Sequence, residues 1–205
     1  MNFYWSIPVI AYLLGSIPFG FLIAKAMGGP DVRSAGSGNI GAANVARSAG
    51  PLAGILTLLC DAGKGYLAVW IAARWVHGST SARWMIAAAA AAVVGHIFSV
   101  WLRFKGGKGV ATMFGAFIPI CWFAVAAIAV LWILVVGFWR YSSLGSMASA
   151  AALPILVYFF YAPRHAPPTT ISLGTVFVSL LVLLKHSENL RRLVAGTENR
   201  LSFRS

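Results

Sequence analysis

Charged residues are scarce in this sequence, and acidic residues are the scarcest. Only 10% of the 205 residues are charged and just four are Asp or Glu, whereas 60% are hydrophobic and the mean hydropathy is +0.82. Soluble globular domains carry about 25% charged residues, so this composition excludes that class. We predict an all-α, polytopic membrane protein that forms a single integral-membrane domain over residues 1–205.

Cysteine is also scarce. The chain has two, Cys60 and Cys121, and both lie within apolar runs without metal-ligand spacing around them. Free cysteines in such surroundings behave as small hydrophobic residues. We therefore expect two buried free thiols and no metal site.

Basic residues, in contrast, are frequent enough to give a formal net charge of +12. A clustered basic stripe is the footprint of a nucleic-acid-binding protein, but here the bases are dispersed between apolar segments. We therefore expect no nucleic-acid partner. Anionic membrane lipids and a phosphorylated substrate fit the charge better.

The apolar residues fall into six segments. The first basic residue, Lys25, follows the first segment, which reverses the order found in a cleavable signal peptide. We therefore expect the first segment to be a retained helix. The segments are 4–24, 51–76, 81–102, 110–139, 146–162 and 170–185.

The distribution of Lys and Arg predicts the topology, because short cytoplasmic loops are enriched in both. Four of the 16 basic residues are exceptions: Arg74, Arg83 and Arg164 flank predicted outside loops, and Lys64 lies within a span. Twelve of the 16 are assigned to the cytoplasmic side: Lys25, Arg33, Arg47, Arg103, Lys105, Lys108, Arg140, Lys185, Arg191, Arg192, Arg200 and Arg204.

This assignment makes segment 110–139 start and end in the cytoplasm. Thirty residues of helix measure about 45 Å, which fits two short or tilted helices, or a re-entrant hairpin, with a bend near Pro119. The result is about seven transmembrane helices, with the N-terminus outside and the C-terminus in the cytoplasm.

Two opposite charges lie within the second apolar segment. Asp61 and Lys64 are three residues apart and share one helical face. Charges at this depth are costly and rarely face lipid. They form either an internal ion pair that fixes helix packing or the wall of a polar cavity, and Gly63 and Gly65 permit close backbone approach.

The glycines gather in loops, and the first reads GSGNIGAANVAR over residues 36–47. Successive glycines let backbone N–H groups converge on an anion, and Ser37 and Asn39 add neutral donors. Arg47 adds positive charge. This pattern favours a phosphate-binding loop over a flexible linker.

The second loop is FKGGKG, residues 104–109, in which Lys105 and Lys108 bracket two glycines. An anion there would gain backbone donors, the dipole of the following helix and a lysine. The spacing does not fit a nucleotide-binding GxxxxGK[ST] motif, because Leu102 stands where its first glycine is needed. A basic anchor at the membrane surface is the alternative.

His96 lies seven residues before Arg103, about 10 Å down a helix. An intramembrane histidine is either structural or functional. Because Gly95 and Ser99 are nearby and the basic loop follows, we predict that His96 contacts a substrate.

Two further polar clusters flank the last spans. In RYSSLGS, residues 140–146, helix capping explains one of the hydroxyl groups but not all of them. In the tail, His186 and Asn189 recur at helical spacing, although an interfacial amphipathic helix would produce the same pattern. Glu198 is expected to pair with a loop arginine.

Together these motifs resemble the PlsY family, the bacterial membrane acyltransferases that use acyl-phosphate and glycerol 3-phosphate. The resemblance runs from about residue 15 to 198, and Ala43 departs from it because the family more usually has Thr there. That departure argues against a required hydroxyl at this position. The motifs are GSIP at 15–18, GSGNIGAANVAR, Asp61 with Lys64 and Gly65, Gly95-His96 followed by FKGGKGVAT, YSS, and His186, Asn189, Arg192, Leu193, Gly196 and Glu198.

The resemblance implies transfer of a fatty acyl group from acyl-phosphate to the sn-1 hydroxyl of glycerol 3-phosphate, which gives lysophosphatidate and phosphate for phospholipid synthesis. It implies a bacterial inner-membrane location, a cytoplasmic active site and no cofactor, and we expect a functional monomer. His96 would hydrogen-bond the attacking hydroxyl or the phosphate, and a substrate phosphate is an equally compatible base. The expected site residues are His96, Ser37 and Asn39 for catalysis, Arg47, Lys105, Gly106, Gly107, Lys108, Ser142, Ser143, His186 and Asn189 for substrate binding, and Asp61, Lys64 and Glu198 for support.

Other classes fit less well. Acyltransferases with a His-x4-Asp motif are excluded, because no histidine is followed by an acidic residue five positions later. A transporter or channel for a phosphorylated solute would use similar cationic loops, but the apolar segments show no evident inverted repeat. A lipid-binding scaffold would not need so ordered a set of Gly, Asn and Ser.

Overall fold

The computed structural model describes residues 3–161 and 167–201. Within these ranges the chain forms nine α-helices, two short 3₁₀ helices and no strand, which confirms the all-α prediction. Arg164 and Arg204, which entered the predicted topology, lie outside the described residues. The α-helices are α1 (Ser6–Ser16), α2 (Phe19–Ala26), α3 (Ala42–Ala49), α4 (Pro51–Trp75), α5 (Ser81–Ile97), α6 (Val110–Trp139), α7 (Ser142–Phe160), α8 (Thr169–Leu184) and α9 (Ser187–Val194), and the 3₁₀ helices are Phe3–Trp5 and Val100–Leu102.

Several of these helices are long and apolar enough to cross a membrane, since about 20 apolar residues span the hydrocarbon core. In the described part of the chain five stretches qualify, and a sixth does if α8 and α9, which are bent by 51°, count as one span. The count of seven and the sides of the termini stay predictions. The five stretches are Ser6–Ala26, Pro51–Trp75, Ser81–Leu102, Val110–Trp139 and Ser142–Phe160.

The first span is broken between α1 and α2, where a single helix was expected over 4–24. Pro18 has no N–H to donate, and the residue before a proline is disfavoured in the helical region. Ile17 accordingly leaves the helix, with φ −57° and ψ 118°. Its carbonyl oxygen accepts a hydrogen bond from Lys64 Nζ at 2.7 Å. The break therefore receives a partner from α4.

Helix α6 contains the other interruption. A bend was expected near Pro119, and the backbone leaves the helical region at Cys121, with φ −155° and ψ 83°. The chain divides at this point into two compact units, Met1–Ile120 and Cys121–Ser205. The single domain over 1–205 stays a prediction. Both cysteines are free, and Cys121 is buried whereas Cys60 is only partly so.

In the first unit, α1 packs against α5 and α4 through small residues that let the backbones approach closely. A Cβ on Gly15 would overlap the backbone of Ala92 in α5, and one on Gly95 would overlap the backbone of α1. Gly65 of α4 lies in the same way against the carbonyl of Thr112 in α6. Glycine thus fixes the spacing of the helices that carry the buried charges.

In the second unit, α7 packs against α8 and against the part of α6 that follows Cys121. Ser149 Oγ donates a hydrogen bond to the carbonyl of Ile128 at 3.0 Å. Trp132 Nε1 donates to Ser146 Oγ at 3.3 Å. These bonds hold the start of α7, where the predicted serine cluster lies.

The two glycines of α4 give a matched test of this packing. Gly65→Ala places a methyl group against the backbone of Thr112, so we expect a loss of about 1–3 kcal/mol, as for other overpacked cores. Gly63→Ala meets nothing within 4 Å and should cost no stability. Thermal unfolding in detergent measures both. Equal midpoints for the two variants would contradict the close contact of α4 and α6.

Candidate functional site

The first glycine loop is organised by one buried side chain, Asn44 in α3, which is 2% exposed. Its Nδ2 donates to the carbonyls of Val32, Ala35 and Asn39 at 2.9, 3.0 and 2.8 Å. Its Oδ1 accepts the backbone N–H of Ser37 at 2.8 Å. One amide group therefore joins four points of the loop and sets its conformation.

Two glycines make this conformation possible. Gly36 and Gly38 have φ of 58° and 69°, which glycine adopts without steric cost. A Cβ on Gly36 would also overlap Asn44 Oδ1. Ser37, between these glycines, is exposed, and Asn39 is half-buried. Both predicted catalytic side chains of the loop therefore lie where a ligand can reach them.

The arginines in and near the first glycine loop, Arg33 and Arg47, differ in whether they are bonded within the protein. Arg33 Nη2 lies 2.6 Å from Asp31 Oδ2, and its hydrogen bonds lower the pKa of that carboxyl to about 2. The Arg33 guanidinium also lies 4.6 Å from the centre of the Phe21 ring. Arg47 is exposed on α3. Arg33 is therefore engaged within the loop, and Arg47 is the arginine available to an anion.

The second glycine loop folds back onto the end of α5. The backbone N–H of Gly106 donates to Ile97 O, and that of Gly107 donates to His96 O, both at 3.0 Å. A Cβ on Gly106 would overlap the His96 carbonyl, and one on Gly107 would overlap His96 Nε2. These two amides are thus used within the protein. The glycines bring the loop against the His96 ring.

One hydrophobic cluster joins the two glycine loops. It contains Ile40 of the first loop, Val32 four residues before that loop, and Leu102 two residues before the second loop. Packing of these side chains therefore brings the segments around the two loops together. The full cluster is Ala24, Val32, Ile40, Val45, Ala53 and Leu102.

Beside His96 lie the buried charges of α4. Asp61 Oδ1 is 2.8 Å from Lys64 Nζ and 3.6 Å from His96 Nδ1, and all three side chains are at most 3% exposed. Lys64 also bonds the Ile17 carbonyl. The ion pair therefore contributes to helix packing and lies beside the predicted catalytic histidine, whereas the polar-cavity interpretation stays a prediction. Across 3–161 and 167–201, no three His, Cys, Asp or Glu side chains cluster as metal ligands do.

In the second unit, Glu198 joins the tail to the start of α7. Its Oε1 accepts Ser143 Oγ and Asn189 Nδ2, and its Oε2 accepts Arg192 Nε, each at 2.7 Å. Burial alone would raise the pKa of this carboxyl, but these donors and the Arg192 charge lower it. The arginine partner lies in α9, whereas the sequence suggested a loop arginine.

The other predicted residues of this unit are placed as follows. His186 is buried and its Nδ1 lies 2.8 Å from the Val182 carbonyl. Ser143 is buried, whereas Ser142 beside it is half-buried. Helix α9 leaves Leu190 and Val194 exposed, in keeping with an amphipathic helix.

Sequence reasoning missed the structural roles of Asn44 and Leu102. The signal for Asn44 was an asparagine within a glycine-rich run, since Asn readily hydrogen-bonds nearby backbone groups. No feature of the neighbouring sequence indicated the role of Leu102. Its partners Val32 and Ile40 are more than 60 residues away in the chain.

Asn44 gives the first test of the site. Asn44→Ala removes the four hydrogen bonds of the loop, so we expect the Ser37 amide to exchange faster and stability to fall by about 1–3 kcal/mol. Ser48→Ala is the control, because Ser48 Oγ bonds the Asn44 carbonyl within α3. Hydrogen exchange and thermal unfolding measure these effects. A Ser37 amide that exchanges at the wild-type rate in Asn44→Ala would contradict this role.

Glu198 gives a pH test. Its pKa in the folded protein lies below the ordinary 4.5, so its contribution is complete above about pH 4.5 and is lost as pH falls through the lower folded value. The unfolding midpoint of Glu198→Gln should lie below that of the wild type at pH 7, and the gap should close at acid pH. Thermal unfolding from pH 7 to pH 3 measures it. A constant gap would contradict the lowered pKa.

Comparison with known proteins identifies relatives along nearly the whole chain. A family model described as glycerol-3-phosphate acyltransferase matches residues 5–196. The glycerol-3-phosphate acyltransferase of Syntrophotalea carbinolica is 44% identical over 200 residues, which cover 98% of this chain and 98% of that protein. The one from Geotalea daltonii is 48% identical over 189 residues, which cover 92% and 93%.

Solved structures indicate the same family. The crystal structure of PlsY (YgiH), an integral membrane glycerol 3-phosphate acyltransferase, in its glycerol 3-phosphate form superposes with a TM-score of 0.88 and 32% identity, covering 97% of this chain and 96% of that one. Its lysophosphatidic acid form gives a TM-score of 0.86 and 31% identity, with 97% and 95% covered. The predicted family resemblance is confirmed. This chain, a multi-pass membrane protein, belongs to the glycerol-3-phosphate acyltransferase family.

Proposed function

We propose that this protein transfers a fatty acyl group from an acyl-phosphate to the sn-1 hydroxyl of glycerol 3-phosphate, at the cytoplasmic face of a bacterial inner membrane. It acts as a monomer without a cofactor and releases lysophosphatidate and phosphate. The family supports the acceptor, because the PlsY neighbours are described in glycerol 3-phosphate and lysophosphatidic acid forms. The observation that carries the proposal is the packing of two basic glycine loops through one cluster, with the second loop against His96.

The chemistry suits an acyl-phosphate donor. The acceptor hydroxyl oxygen attacks the acyl carbon, a new C–O bond forms, and the bond from that carbon to the phosphate oxygen breaks. Phosphate is a good leaving group, so positioning of the substrates and stabilisation of the developing charge supply most of the catalysis. A site for this reaction needs cations for two phosphates and an apolar path for the chain.

The first unit offers cations for the phosphates. Arg47 and Lys105 are exposed at the two glycine loops, and Lys108 is half-buried in the second. In the proposed site they hold the phosphates, and Ser37 and Asn39 orient donor and acceptor. Gly106 and Gly107 contribute by letting the loop approach His96, because their own N–H groups are already bonded. Ser142, Ser143, His186 and Asn189 are the proposed substrate-binding residues of the second unit, with Glu198 holding two of them.

His96 is the proposed group at the reacting hydroxyl. Its Nδ1 faces Asp61, and its Nε2 lies at the second glycine loop, where the phosphates are proposed to bind. In one route the imidazole takes the hydroxyl proton, and in the other a phosphate oxygen of the donor takes it. His96→Gln separates them, since the second route retains turnover without the imidazole.

The donor is tested with purified protein, palmitoyl-phosphate and glycerol 3-phosphate. We expect phosphate and lysophosphatidate to form in equal amounts, and palmitoyl-CoA to be a poor donor. Phosphate release without lysophosphatidate, or equal rates with palmitoyl-CoA, would overturn the proposal. Uptake of glycerol 3-phosphate into vesicles without acylation would favour a transporter instead.

The phosphate ligands are tested by charge removal. A hydrogen bond to a charged group contributes about 1.5–3 kcal/mol, so Arg47→Ala or Lys108→Ala should lower kcat/KM for glycerol 3-phosphate about 10- to 100-fold. Arg83→Ala is the matched control, because Arg83 lies at the start of α5, opposite the end that carries His96. Wild-type kinetics in both loop variants would remove these residues from the site.

A further inference from the structure

The connection between α6 and α7 has an unusual backbone. Only Arg140 and Tyr141 separate the two helices. Arg140 has φ of 64°, in the left-handed region that residues with a side chain seldom adopt. Such a conformation persists where surrounding contacts hold it. Ser142 and Ser143, two of the predicted substrate-binding residues, follow directly.

The residues that follow α9 supply these contacts, and we call residues 198–201 the return segment. Leu201 N–H donates to Arg140 O at 2.7 Å, and Arg140 Nε donates to Leu201 O at 3.0 Å. Arg200 Nε donates to Tyr141 Oη at 3.0 Å, and its guanidinium lies 5.3 Å from the centre of that ring. Both residues of the connection are therefore held from outside their own helices.

The return segment bonds only one of the two serines. Ser143 Oγ donates to Glu198 Oε1 at 2.7 Å, so the buried serine is used by the return segment itself. Ser142 is half-buried, and its hydroxyl makes no hydrogen bond with the residues that the structure describes. Of the two serines, only Ser142 has a hydroxyl that is not bonded to a described residue.

We propose that the return segment is a clasp that sets the α6–α7 connection so that Ser142, and not Ser143, presents its hydroxyl to the substrate. Arg200 and Leu201 are then positioning residues, and Ser143 anchors the clasp. This inference rests on the proposed function, in which substrate binds at the serine pair, and it narrows that contact to Ser142. It assigns a role to residues beyond 196, where the match to the family model ends.

Arg200→Ala tests the clasp, with Arg191→Ala as the control, because it removes the same charge from an exposed position in α9. In Arg200→Ala we expect faster hydrogen exchange at the Leu201 amide and in residues 140–143. We also expect a KM for one of the two substrates raised about two- to tenfold, the loss of one net hydrogen bond, with kcat changed less. Arg191→Ala should match the wild type in both measurements.

Tyr141→Phe repeats the test with a smaller change, since it removes only the hydroxyl that Arg200 bonds. Unchanged exchange at 140–143 and Leu201 in both variants would overturn the clasp. Faster exchange with unchanged KM would overturn its positioning role. Absence of acyl transfer in the wild type would overturn the proposed function, and exchange would still report on the clasp.

The serines are tested directly. Ser142→Ala should raise KM without lowering the unfolding midpoint, because its hydroxyl bonds none of the described residues. Ser143→Ala should lower the midpoint, because Glu198 loses a buried donor. The reverse pattern, with Ser143→Ala affecting only KM, would overturn the assignment.

Discussion

A lysine ammonium buried between membrane-spanning helices holds the first unit together. Lys64 pairs with Asp61 and donates to the carbonyl that the break at Ile17 leaves free. Inside a membrane each unpaired charge or backbone group costs several kcal/mol, so the broken helix and the buried charges each supply what the other lacks. Asp61 Oδ1 in turn lies 3.6 Å from His96 Nδ1, so the histidine borders the same ion pair.

In phosphate-binding loops, glycine backbone N–H groups usually face the anion, but the glycines here have a different role. In the second loop, Gly106 and Gly107 use their N–H groups to bond the end of α5, and their missing side chains let the loop reach the His96 ring. In the proposed function, the lysine side chains of this loop and not these two amides bind the anion. In the first loop, Gly36 and Gly38 supply left-handed conformations that Asn44 fixes. Both loops are ordered by bonds within the protein, so a ligand does not have to order them.

In the second unit, bonds within the protein likewise satisfy a carboxylate. Glu198 gathers donors from α7 and α9, and the residues after it hold the α6–α7 connection. A buried carboxylate is stable only with such donors. Residues that look like ligand contacts in the sequence, Ser143 and Asn189, are therefore bonded to a protein group.

The class of the protein, its apolar segments, its family and the approximate position of the break in α6 could be predicted from the sequence. Composition, hydropathy and motif spacing are properties of neighbouring residues, and they are readable along the chain. The sequence also found Ser37, Arg47, His96 and Glu198 as residues of interest, because polar residues between or within apolar spans need a reason to be there.

Which polar groups are already bonded within the protein could not be predicted, because it depends on the folded chain. That Lys64 satisfies Ile17, that Asn44 joins four points of a loop, and that Leu102 unites two loops follow from contacts between distant residues. The sequence shows which side chains can donate or accept a hydrogen bond. Whether that capacity remains for a substrate depends on which atoms packing brings within 3 Å, and local spacing does not encode it.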